Sequence, residues 1–246
     1  MSSSLFHILN ISQSAMLSQL QNLDTTSNNL ANINTVGFKS ARDNFQELLN
    51  QAELEGAKLS NTQLLMNQGA MHATGNPLDV AIQGEGFFQV RLADGRTAYT
   101  RDGQFQIDAN RNLVTSSGER LIWQGQIPQN FEEIAIAPNG AVNVRVGLTW
   151  SQAGTIQISR FANPTALQGY GQNLWLATPS SGQAQNGAPG SANFGSLQSQ
   201  AVEGSNINIA NEMTNMTMLQ RAFQMSTRAF QTTDTMITQA IHMRRG

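Results

Sequence analysis

The residue types able to do chemistry are few and scattered. His7, His72 and His242 lie far apart, and none has a second ligand three or four residues away, the spacing that brings two donors onto one metal ion. Gly84-Glu85-Gly86 opens like a phosphate-binding turn. Phe87 and Phe88 follow it, however, where a third glycine and a helix would have to stand, so it reads as a turn between strands. Arg101-Asp102 and Arg120 are the remaining charges that suggest acid–base work, but a carboxylate in an Asp-Gly turn is expected to be exposed and unperturbed. Cysteine is absent, which excludes thiol chemistry and disulfide staples. No catalytic, cofactor-binding or metal-ligating residue is assigned, no cofactor is expected, and the chemistry that remains is the association of surfaces.

The elements that present those surfaces are the two ends of the chain. Met216, Phe223, Phe230 and Ile237 recur every seventh residue, and at the amino end Leu9, Met16, Leu23 and Leu30 do the same. Each set forms an apolar seam along one helix. A seam left in water is an aggregation liability, so the two termini are expected to pair with each other or with copies of themselves, and everything between reads as an insertion. The outer side of the amino helix is almost uncharged, with Asp24 among Ser, Thr, Gln and Asn, and such a face either meets solvent or packs against other subunits through short polar side chains.

Composition narrows the class further. A 246-residue chain with 39% hydrophobic residues builds at least one core, while 12% charged residues is about half the usual share. Net charge is -2 and only Lys39 and Lys58 are lysines, so no basic field exists to hold a phosphate backbone and no nucleic-acid partner is expected. No window approaches the ~18 apolar residues of a spanning helix, so direct membrane insertion is not expected either, and the amino end lacks the pattern of a cleaved signal.

In chain order, residues 5–32 read as one helix without Gly or Pro, stopped by Asn32, Asn34, Gly37 and Phe38. The asparagines tolerate left-handed backbone and cap through their side chains, and Gly37 supplies a positive φ that sets the exit from the helix before Phe38 packs down. Phe45, Leu48, Leu49, Ala52 and Leu54 suggest a short helix. From residue 71 the period changes to two: 78–82, 87–92, 97–100, 104–108, 113–115, 120–123, 134–137, 142–146, 155–160 and 174–177 read as strands. Turn pairs stand between them at Asp94-Gly95, Asp102-Gly103, Ser117-Gly118, Asn139-Gly140 and Ala153-Gly154, of which the first and fourth are read as tight hairpins. Residues 178–199 read as a long Gly/Ser/Pro-rich return loop, after which Ser205 or Asn206 starts the carboxyl helix with Glu212 in its first turn. The fold class expected is α+β: a discontinuous coiled-coil domain from 1–35 and 203–246, a connector over 36–70, and a β-rich domain over 71–202.

Four ordered segments carry a family resemblance: Ser27-Asn-Asn-Leu-Ala-Asn-Ile-Asn-Thr-Val-Gly-Phe-Lys39, Asp79-Val-Ala-Ile-Gln-Gly-Glu-Gly-Phe-Phe88, Ala98-Tyr-Thr-Arg-Asp-Gly-Gln-Phe105, and Val202-Glu-Gly-Ser-Asn-Ile207 followed by Asn215-Met216 and Gln220-Arg-Ala-Phe223. With them the chain resembles the bacterial flagellar rod and hook protein family. The resemblance implies a structural subunit of the basal-body rod spanning the periplasm, with terminal helices forming the inner layer of a self-assembled tube and a β domain facing outward. Its implied partners are further copies of itself, neighbouring rod and hook proteins, the flagellar export apparatus and the surrounding rings. Phe38 leads to Leu78 in 40 residues, an interval that leaves distal-rod and proximal-rod members both open. From other classes, a monomeric β-domain binding module or adhesin and a β-fold hydrolase compete with this reading; the first has no need for two nearly uncharged seam helices, and the second should show polar residues able to converge on one pocket, which the sequence does not offer.

Overall fold

The computed structural model describes the backbone of residues 2–49 and 54–245, and the side chains of 11–44, 62–239 and 242. Helix α1 runs Ser2–Ala31, helix α2 runs Ile209–Arg245, and strands fill the chain between, an α+β arrangement. Contacts divide it into two compact units. One comprises Met1–Ala31, Ala41–Gln63 and Ile207–Gly246, and the other Asn32–Ser40 and Leu64–Asn206. The stretch read as a connector is thus shared, its middle belonging with the helices and its two ends with the β unit.

In the helical unit, α1 and α2 contain neither Gly nor Pro, and they lie side by side, with Gln19 Nε2 donating to Ser226 Oγ at 3.2 Å and the Thr227 hydroxyl 3.8 Å from Met16 Sδ. Pairing within one chain is the first of the two arrangements anticipated for the termini. The start of α2 falls later than Ser205 or Asn206. Asn208 caps it, its Oδ1 accepting the Asn211 amide at 3.2 Å and its carbonyl the Glu212 amide at 3.0 Å. Threonines on α2 return their hydroxyls to the carbonyl four residues back, as Thr214 does to Ala210 and Thr233 to Ala229, which lets an uncharged polar face sit on a helix.

The polar side of α1 is where the structure departs most from the pattern. Ser18, Thr26 and Asn29 are its most buried described positions, at 8%, 8% and 3% exposure. Where a short helix was expected around Phe45–Leu54, two paired strands stand instead, β1 (Ala41–Leu49) and β2 (Leu54–Leu64). Asn29 fixes the start of β1 by donating to the Ala41 carbonyl at 2.9 Å and accepting its amide at 3.0 Å, and Asp43 accepts hydroxyls from Thr25 at 2.6 Å and Thr62 at 2.7 Å. These contacts from distant segments override the helical propensity of Gln46-Glu47-Leu48-Leu49. Part of the polar face therefore packs against its own chain.

In the β unit, one sheet orders Gln168–Gly171, Leu174–Leu176, Thr97–Thr100, Phe87–Arg91, Arg120–Leu121, Leu113–Thr115 and Phe105–Ile107, and a four-stranded sheet orders Gln124–Gly125, Thr149–Thr155, Ala141–Val146 and Glu133–Ile136. The hairpins at Asp94-Gly95 and Asn139-Gly140 form as expected, with φ +85° at both glycines. Ala153-Gly154 is no turn, for it lies inside the strand Thr149–Thr155, where its flat backbone faces Gly125. The return loop likewise contains two strands, Gln185–Gly187 and Ser196–Ser199, because backbone pairing with Ile158–Arg160 and Val80–Gln83 satisfies it where side-chain pattern gives no signal.

The core lies on both faces of the central strand. Phe88 joins the main cluster with Val80, Ile82, Val90, Leu113 and Val144, while its neighbour Phe87 points to the opposite face and joins Tyr99, Phe161, Leu167 and Trp175. Both faces are covered at the start of Phe87–Arg91, so two phenylalanines stand side by side where strict alternation would place one polar residue.

Candidate functional site

Three of the four segments that carry the resemblance each contribute one charge to a cluster, and the β unit brings the three together. Lys39 follows the Gly37-Phe38 turn, Arg101 directly follows the strand Thr97–Thr100, and Glu203 ends the strand Ala201–Glu203. Glu203 Oε1 accepts from Lys39 Nζ at 2.5 Å and from the Gly69 amide at 2.9 Å, and its Oε2 accepts from Arg101 Nη1 at 3.1 Å. The side chains are 1%, 6% and 0% exposed for Lys39, Arg101 and Glu203, which places a net positive charge inside the unit.

Further donors of both cations go to backbone carbonyls. Lys39 reaches Asn67 at 2.8 Å, and Arg101 reaches Gly84 at 2.8 Å and Ile82 at 3.4 Å with its guanidinium 5.2 Å above the Phe87 ring. Burial lowers the affinity of Lys39 and Arg101 for their protons, and the Glu203 carboxylate opposes that shift. Around this knot the chain ends are pinned: the Gly37 amide donates to the Glu203 carbonyl at 2.7 Å, and the Gly204 amide to the Ala70 carbonyl at 2.7 Å. Gly69 has no room for a side chain, since a Cβ there would stand 2.0 Å from the Gly204 carbonyl oxygen.

A single asparagine amide completes the edge. Asn206 accepts the Ser40 amide at 2.8 Å and donates to the carbonyls of Leu65 at 2.7 Å and Asn67 at 3.1 Å, while Leu65 donates to the Ser40 carbonyl at 2.8 Å. Ser40, Leu65 and Asn206 stand at or next to the points where the chain leaves the β unit, so the unit holds its own exits in fixed register. Both carboxylate oxygens are engaged, Arg101 Nε alone of the cluster's polar atoms is buried without a partner, and the three side chains are closed off from solvent. The cluster's capacity is to clasp chain segments.

The connector residues sit beside this clasp. Neither Asn32 nor Asn34 takes left-handed backbone; Asn32 closes a turn with Thr35, and the positive φ falls to Gly37 alone, at +68°. A Cβ on Gly37 would lie 2.5 Å from the Asp102 nitrogen, and Phe38 is half-buried. Gly37→Val is therefore expected to destabilise the β unit itself, with about 1 to 2 kcal/mol from the left-handed backbone alone and more from the clash. A urea midpoint unchanged from the parent would refute it. Asp102 is not exposed as expected; it is half-buried, accepts the Gln104 amide at 3.0 Å, and burial pushes its carboxyl up.

Of the seam residues, Met16, Leu23, Leu30, Met216, Phe223 and Ile237 are half-buried in the helical unit, Phe230 is 36% exposed, and Leu9 lies outside the described side chains. His7 is also outside them, while His72 and His242 are exposed. Among the described residues no group of three or more His, Cys, Asp or Glu is placed to hold a metal ion, and no helix is long and apolar enough to cross a membrane.

Sequence comparison decides what the clasp belongs to. Residues 9–39 match the family described as flagella basal body rod protein, 81–144 the flagellar hook protein FlgE/F/G D1 domain, and 198–243 the flagellar basal body rod FlgEFG protein C-terminal family. A flagellar basal-body rod protein FlgG of Borreliella burgdorferi is 39% identical, the alignment covering 94% of this chain and 96% of the relative. The chain belongs to the bacterial flagellar basal-body rod and hook protein family. It is a structural subunit of the rod, located in the flagellar basal body. The FlgG of Agrobacterium fabrum is 37% identical over 93% of this chain and 95% of that protein, and the FlgF of Mesorhizobium japonicum 29% identical over 88% of each. Lys39 falls within the first matched region of this rod family and Glu203 within the last, and Arg101 within the D1 match.

Proposed function

We propose that the chain is the distal-rod subunit and that its terminal helices assemble copies into a tubular drive shaft for motility. The observation that carries the distal position is the contrast in likeness, 39% identity over 94% of the chain to a relative named FlgG against 29% over 88% to one named FlgF. The coiled-coil seam of Leu9, Met16, Leu23, Leu30, Met216, Phe223, Phe230 and Ile237 is the assembly surface in this reading. Support comes from what one chain leaves uncovered: Met218, Met225 and Met236 are 56%, 65% and 56% exposed on α2, and Leu17 and Leu20 are 54% and 40% exposed on α1. Exposed apolar side chains in that number on a helix pair mark an interaction surface, and further helices beside the seam are what this reading puts there. The partners in this reading are further copies, neighbouring rod and hook proteins, the export apparatus during delivery and the surrounding rings.

The experiment is electron microscopy of basal bodies from a strain deleted for this chain. The expected result is a rod that stops short of its distal segment, restored by the wild-type gene. A rod of full length overturns the assignment, and a rod that has lost its proximal segment as well favours the proximal-rod alternative.

A further inference from the structure

Helix α2 carries a second apolar stripe besides the seam, and it is built of methionine. Met225 lies seven residues after Met218, and Met236 eighteen after it. At about 100° per residue the three fall within about 20° of one line, since eighteen residues close about five whole turns. Met216, Phe223, Phe230 and Ile237 stand roughly 100 to 160° round the helix from Met218, so the stripe and the seam are different faces. The seam side is the one that meets α1, through Ser226 and Thr227.

The methionine stripe is open to solvent within one chain. Met218, Met225 and Met236 are 56%, 65% and 56% exposed, whereas Met216 on the seam and Met16 on α1 are half-buried. Met213 is 56% exposed as well, but it lies about 140° from Met218 and off the stripe. Susceptibility of a thioether to oxidation follows its exposure, and the chain has no cysteine, so these three side chains are the most accessible sulfur on one face of the molecule's association surface.

We propose that Met218, Met225 and Met236 form a modification site for peroxide-class oxidants, and that their oxidation closes α2 to the next subunit. In the step itself a lone pair on the thioether sulfur attacks one oxygen of hydrogen peroxide and the O–O bond breaks. The departing hydroxide takes the proton left on the transferred oxygen and leaves as water. The sulfur gives up two electrons and becomes a sulfoxide, and the peroxide is reduced. The product carries a strongly dipolar S–O group where the stripe was apolar, and a helix laid over it would bury that oxygen without a donor. The inference rests on the self-assembly reading and deepens it, giving the uncovered face of α2 a chemical state in which assembly stops. A subunit already covered by its neighbours is out of reach, so the site acts on the free chain.

Purified full-length chain treated with dilute hydrogen peroxide, its peptides mapped for the mass of one added oxygen, tests the site. Met218, Met225 and Met236 are expected to react several-fold faster than Met16 and Met216, and equal rates overturn it. In isolated basal bodies treated alike the three are expected to react several-fold more slowly than in the free chain, and an unchanged rate overturns the gating. For the consequence, Met225→Gln puts an amide oxygen on the stripe in place of the sulfoxide, while Met225→Leu keeps the face apolar and cannot be oxidised. Swimming should fall several-fold with the first and persist with the second, both purified variants keeping the parent's melting temperature. Met213→Gln, equally exposed but off the stripe, should swim. A Met225→Gln strain that swims like the parent, or a Met213→Gln strain that fails as badly, overturns the proposal while leaving the rod reading intact. A chain that is absent from basal bodies overturns both.

Discussion

The purified Glu203→Ala variant is expected to lose more stability than any other single substitution in the β unit. Removing the carboxylate leaves the Lys39 ammonium and the Arg101 guanidinium buried side by side without a counter-charge, with side chains 1% and 6% exposed, and it orphans the Gly69 amide. Breaking a buried ion pair from one side costs about 3 to 5 kcal/mol, which for a unit of this size lowers Tm by roughly 6 to 20 °C. Replacing the triad with Lys39→Met, Arg101→Met and Glu203→Leu removes the stranded charges, and recovery is expected to be incomplete, because the carbonyls of Asn67, Ile82 and Gly84 then lose their donors. Thermal melts of the parent, single and triple variants check this. A Glu203→Ala Tm within ~2 °C of the parent, well inside the shift expected of a single surface change, would sink the clasp.

Phe223→Asp should separate assembly from folding. Phe223 is half-buried in the helical unit, and replacing it removes ~2 to 3 kcal/mol of transfer energy and adds the cost of burying a charge. A rod repeats that penalty at every subunit, so motility should be abolished. The β unit, which does not contain Phe223, should keep its Tm within about 2 °C. A binding module whose helices serve only its own domain would instead melt several degrees lower without any assembly defect. Swimming assays beside monomer melts distinguish the two, and a motile strain would count against the seam as an assembly surface.

The two long helices, most strands and the hairpins at Asp94-Gly95 and Asn139-Gly140 were legible in the sequence, because each rests on short-range rules: periodicity of apolar residues, absence of Gly and Pro, and glycine where φ must be positive. Gly37 was legible for the same reason. The family was legible because four segments keep their order. Tertiary structure decided the rest. Residues 45–49 carry helical propensity, yet they continue the strand Ala41–Leu49, whose start Asn29 and Asp43 fix, and no local rule registers hydrogen bonds from another element. Strands within 178–199 form through backbone pairing, which composition does not encode. The clasp was hidden most completely: Lys39, Arg101 and Glu203 are ordinary charges until three distant segments place both cations within about 3 Å of the Glu203 carboxylate in a medium that excludes water, and only the folded chain sets those distances.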